Sequence, residues 1–172
     1  MSSLQLFEFP NFKGQTLTLN NDTPDLSAVG FLQLAQSLKV HGDPWIVFDE
    51  LGYKGKHQGY TEGGHSSIPG FEKQISSIRV VPGGFDNPSL ALSPEVNYGG
   101  FSISLEKTVN SVKPQGMPDM ALSAQVHRGA WVLYQQENHK GNSKVVVKGD
   151  EIPDCDPVGW GDKISSVKVI PK

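Results

Sequence analysis

Four times along this chain, a first position is followed five residues later by a ring and seven residues later by a glycine. The copies are Phe7, Phe12 and Gly14, then Phe48, Tyr53 and Gly55, then Tyr134, His139 and Gly141, with Ser93, Tyr98 and Gly100 as a copy that lacks the first ring. The glycines stand 41, 45 and 41 residues apart, so the second pair of copies repeats the first at an interval of 86, and Trp45 and Trp131 keep the same interval. Self-similarity at such a period marks supersecondary units that bury their apolar faces on a neighbour. Two equal steps around a longer one predict two domains of two repeats each.

The repeats also end alike. Phe31, Phe71, Met117 and Trp160 each follow a glycine and each precede, by six residues, a serine: Ser37, Ser77, Ser123 and Ser166. Beyond every serine lies an apolar-polar-apolar triplet, at residues 38–40, 78–80, 124–126 and 167–169, which is the period of a half-buried strand. Leu17 and Leu19 alternate with Thr16 and Thr18, as Ile103 and Leu105 do with Ser102 and Ser104, and no helical apolar stripe is sustained over three turns. A hairpin folded back over its own sheet needs a glycine free to take positive φ and a ring to cover the bend. The serine supplies a hydroxyl for backbone groups left unpaired by the fold-over.

Composition agrees and removes alternatives. With 19 glycines and 12 prolines in 172 residues, many tight turns between short strands are expected. The 15 basic and 18 acidic residues, net charge -3, form no long run of either sign, so no nucleic-acid surface is indicated. No stretch of 18 apolar residues predicts a membrane span, and the start shows no signal peptide. Cys155 is the sole cysteine, which excludes an internal disulfide and fits a cytoplasmic protein, or one exported without a visible signal peptide.

Ring, x, glycine in the first hairpin and a serine about 23 residues further on, as from Gly14 to Ser37, make a pattern that resembles the βγ-crystallin Greek key. The resemblance covers residues from about Leu4 to Pro171. It implies an all-β chain of two β-sandwich domains, each of two intercalated Greek-key motifs: residues 2–81 and 89–172, joined by a Pro/Gly-containing linker at 82–88. With few cysteines, methionines, tyrosines and arginines, the chain looks unlike lens members. Residues 42–48 and 128–134 are more similar to the non-lens branch, in particular amphibian epidermis differentiation-specific proteins, in which such a domain pair is often followed by an aerolysin-like pore-forming domain.

Many non-lens relatives hold calcium in loops of the form Asn/Asp, Asn/Asp, two variable residues, Ser/Thr, Ser, where each repeat closes. Calcium recruits several oxygen donors at once, and the charge of its ligands controls affinity. The resemblance places two degraded candidate sites here. One is Glu72, Gln74 and Ser76; the other is Asp162, Lys163 and Ser165, with Gln74 and Lys163 contributing backbone carbonyls. Loop 118–123 keeps one acid and loses a hydroxyl, and loop 32–37 has no acid. Calcium is the implied cofactor, and no other is expected.

Catalytic patterns are not found. His41 and His127 are repeat equivalents 86 apart, and His57 and His65, eight apart near Glu62, lack helical HExxH spacing. Asp154 and Asp156 flank Cys155 and disfavour the thiolate that a nucleophile needs. Asn21-Asp22-Thr23 has the form of a glycosylation acceptor and reads as a turn. The expectation is a non-enzymatic structural or stress-related protein; the alternative is a targeting or interaction module of a larger assembly, such as an aerolysin-like pore-forming complex. A protein partner, or a homodimer through domain pairing, is compatible with either.

Overall fold

The computed structural model describes residues 2–117, 121–152 and 164–171. Cys155 and the Asp162–Lys163 pair of the fourth loop lie outside these residues. The chain divides into two compact units, one ending at Pro82 and the other spanning Gly83–Pro171.

In the first unit, β1 (Ser3–Phe9), β2 (Lys13–Leu19) and β3 (Ser37–His41) belong to the first repeat, and β4 (Trp45–Glu50), β5 (Lys54–Tyr60), β6 (Gly63–His65) and β7 (Ser77–Val80) to the second. The sheets do not respect that division. One has the order β2-β1-β3-β6 and the other β5-β4-β7, so β6 leaves its own repeat to pair antiparallel with β3. In return Thr23 of the first repeat bridges Ile78 of the second. This mutual lending of strands is the intercalated Greek-key arrangement.

The second unit repeats it with β8 (Ser89–Ser93), β9 (Ile103–Leu105), β10 (Ser123–Arg128), β11 (Ala130–Gln136), β12 (Lys140–Val147), β13 (Glu151–Ile152) and β14 (Ser166–Val169). Its sheets run β13-β10-β8-β9 and β12-β11-β14, and Val109 bridges Val167 as Thr23 bridges Ile78.

Alternation along the strands sends one face of each sheet inward. Leu4 and Leu6 from one sheet and Trp45, Val47 and Ile78 from the other share one core; Leu90 and Leu92 share the second with Trp131, Leu133 and Val167. Trp45 and Trp131 are fully buried. Their indole N–H groups are satisfied, Trp45 Nε1 donating to Ser2 Oγ at 3.0 Å and Trp131 Nε1 to the Arg128 carbonyl at 3.3 Å. Among the described residues no helix is long and apolar enough to cross a membrane.

Candidate metal centre

The four folded hairpins fix where the closing loops sit. Ser37, Ser77, Ser123 and Ser166 are all fully buried. Each hydroxyl makes the same two bonds. Ser37 Oγ donates to the Phe9 carbonyl at 2.7 Å and accepts from Phe12 N at 3.0 Å. Ser77 does so with Glu50 and Tyr53 (2.6 and 3.0 Å), Ser123 with Glu95 and Tyr98 (2.7 and 3.1 Å), and Ser166 with Gln136 and His139 (2.6 and 3.0 Å).

Glycine alone does not take the strained backbone. Phe12, Tyr53, Tyr98 and His139 have φ of 62°, 63°, 61° and 58°, a left-handed conformation that costs a bulky residue about 1–2 kcal/mol. The bond from the ring residue's own N–H to the serine is what holds it there. Two residues on, Gly14 has φ 81°, and a Cβ there would stand 2.6 Å from the Phe9 ring. Glycine is therefore required for conformation and for space.

With the corners set, loops 32–37 and 72–77 meet by reciprocal bonds. Gln33 N donates to the Ile75 carbonyl and Lys73 N to the Ala35 carbonyl, both at 3.0 Å. In the second unit Ala121 and Ile164 exchange bonds of 3.0 and 2.9 Å. The residues before the buried serines are anchored alike: Ser76 N donates to the Phe48 carbonyl at 2.8 Å, and Ser165 N to the Tyr134 carbonyl at 2.9 Å.

The structure brings two of the three second-loop candidates together and leaves one apart. Ser76 Oγ lies 3.0 Å from the Asp49 carbonyl and 3.3 Å from the Gln74 carbonyl, and it accepts from Gln33 Nε2 at 3.4 Å. Two carbonyls, a hydroxyl and an amide thus converge. Glu72 does not join them, because its carboxylate accepts from Gly70 N at 2.7 Å. The side chain of Gln74 points to Lys56, whose ammonium donates to Gln74 Oε1 at 3.0 Å and to the Gly70 carbonyl at 2.6 Å. Of the fourth-loop candidates only Ser165 is described; it is half-buried, and its carbonyl accepts from Val112 N at 2.9 Å.

This donor set fits calcium poorly in the first unit. Calcium takes six to eight oxygens, and carboxylates supply most of the affinity. The cluster around Ser76 has neutral oxygens, and among the described residues no group of three or more His, Cys, Asp or Glu side chains could hold a metal.

Sequence reasoning missed Gln33, Asp49 and Lys56. The repeat register held the signal for one of them: Glu8 and Asp49 stand 41 apart, each just after its aromatic residue, and both offer a carbonyl to the closing loop. Elsewhere, the phenol of Tyr60 is pushed up to about 12 by burial and by the Glu72 carboxylate.

Comparison with known proteins matches the Beta/Gamma crystallin family model twice, over residues 3–81 and 92–170. An epidermal differentiation-specific protein of Cynops pyrrhogaster is 30% identical over 97% of this chain and 49% of its own length. The human beta/gamma crystallin domain-containing protein 2 is 29% identical over 85% of this chain and 9% of its own. The chain therefore spans about half the length of the first relative and a small part of the second. A βγ-crystallin structure from Ciona intestinalis is 28% identical, covers 45% of this chain and 98% of its own, and superposes with a TM-score of 0.44.

Proposed function

The chain belongs to the beta/gamma crystallin family, and on that premise we propose that it is a non-enzymatic, structural or stress-related member of the non-lens kind. The observation that carries this is the use made of the repeated residues. Rings, glycines and serines that recur in register are spent on closing hairpins: every repeat serine donates to a carbonyl and accepts from a ring residue's N–H. A nucleophile needs a general base within reach, and these hydroxyls face backbone. Their chemistry is mechanical.

Calcium belongs to this reading as a weak ligand. Asp162, Lys163 and Ser165 retain an acid and a hydroxyl in the fourth loop, whereas Glu72, Gln74 and Ser76 offer the cage around Ser76 no carboxylate. Calorimetric titration of calcium into chelator-treated protein tests it. Heat of binding and a raised melting temperature at millimolar calcium are expected, because a ligand of the folded state stabilises it. The absence of both signals would end the calcium reading.

A second reading, as a targeting or interaction module, is favoured by one fact: the newt relative is about twice as long as the region it shares with this chain. Light scattering, with binding assays on vesicles and glycans, separates the two. An inert monomer fits the structural role, and surface binding fits the module.

A further inference from the structure

We propose that in the first unit the protein's own hydrogen-bond donors, together with the Lys56 ammonium, do the work of a bound cation, so that its closing loops are set without metal. The proposal deepens the calcium part of the reading above and rests on the family assignment, not on the absence of catalysis.

The argument begins with what a cation would do at such a place. It would draw together backbone carbonyls from a hairpin and from a loop that would otherwise repel one another. In this unit those oxygens already have partners. At the first corner Gln36 Nε2 donates to the Glu8 carbonyl at 3.1 Å. At the pseudo-equivalent corner Ser76 Oγ donates to the Asp49 carbonyl, and Gln33 Nε2 reaches across from the other loop to Ser76 Oγ at 3.4 Å. Glu8 and Asp49 are repeat equivalents, as are Gln36 and Ser76, so one arrangement has been reached twice with different donors.

Lys56 supplies the positive charge. Its ammonium binds the Gly70 carbonyl and Gln74 Oε1, and it stands 4.8 Å over the Phe71 ring, a geometry in which the ring quadrupole attracts a cation. The position is held from the other end too, since Lys56 N donates to Asp49 Oδ1 at 2.8 Å. Asp49 thus presents its carbonyl to the Ser76 cluster and its carboxylate to the Lys56 backbone. A divalent ion brought to the same turn would meet the Lys56 charge and would have to strip two carbonyls of existing donors.

The test is heteronuclear NMR of the full chain during a calcium titration to about 10 mM, above the weak millimolar class of such sites. Amides of residues 32–37 and 70–77 are expected to stay in place, whatever residues 161–166 do. In parallel, Lys56→Met should lower the melting transition of the first unit by a few degrees, on the order of 4 °C, with no recovery on adding calcium. Saturable movement of amides in 32–37 or 70–77 in the wild-type chain overturns the proposal, and so does a Lys56→Met chain with an unchanged transition or one that calcium restores. If Lys56→Met does not fold, the wild-type titration decides alone. Movement confined to 161–166 leaves the proposal standing and supports calcium in the second unit. A catalytic activity would overturn the structural reading and leave this one intact.

Discussion

The first unit builds its two corners in full, and the second builds its corners with substitutes. Phe7 meets Phe12 edge-on at 5.4 Å and Phe48 meets Tyr53 at 5.8 Å. Each pair carries a cation from the closing strand: Lys39 stands 4.6 Å over Phe12, and Arg79 stands 5.5 Å over Tyr53. In the second unit Ser93 takes the place of the first ring, and Gln125, equivalent to Lys39, brings no charge. The last corner uses His139, which packs on Tyr134 at 5.1 Å and sets Nε2 within 3.2 and 3.1 Å of the Val109 and Val167 carbonyls. Both units keep the buried serine without change. The hydroxyl clamp is the common requirement, and the aromatic cover is the adjustable part.

If that is right, the serines should cost most in either unit. Ser77→Ala and Ser123→Ala each strand a ring residue's N–H and a carbonyl, and each should lose about 2–4 kcal/mol of its unit's stability. Urea denaturation measures it, and a loss under about 1 kcal/mol for Ser123→Ala would break the comparison. A second difference lies opposite the tryptophans, where Tyr60 pairs with Trp45 and Val146 with Trp131. The Tyr60 phenol has an ordinary value of 10.0 and is raised in the fold to about 12. Its contribution is whole below pH 10 and is lost as the pH climbs to 12, a loss of about 2 kcal/mol confined to the first unit. Tyr60→Phe should remove that part of the alkaline loss in a denaturation series across this range.

The outer ring sharpens the comparison further. Tyr53→Ala should cost about 1 kcal/mol more than Tyr98→Ala, since Tyr53 loses a ring partner and a cation that Tyr98 does not have. Equal costs would mean that the ring pair adds nothing beyond area. The smallest effect belongs to Lys39→Ala, about 0.5–1 kcal/mol, seen as a slight shift of the urea midpoint of the first unit alone.

Much of this was legible because the corner is local in sequence. Ring, glycine and serine declare themselves by spacing, and their fourfold register gave the all-β, two-domain reading that the sheets and the family match bear out. The loops were less legible. Their chemistry depends on partners from the other repeat, such as Gln33 against Ser76, or from a different hairpin, such as Lys56 against Gln74. Glu72 carries the carboxylate that a sequence reading favours, yet the Gly70 backbone N–H, two residues earlier, takes it. Positive φ at the ring residues was equally hidden, because nothing in a phenylalanine or tyrosine announces it.

The exchange of bonds between loops 32–37 and 72–77 bears on how the molecule comes off the ribosome. A chain cut after β3 has no Ile75 carbonyl for Gln33 and no Ile78 for Thr23, so the opening forty residues cannot settle by themselves. They must wait for nearly as much polypeptide again to emerge. Pairings so distant along the chain assemble slowly, and the half-made unit passes through synthesis with apolar strands uncovered.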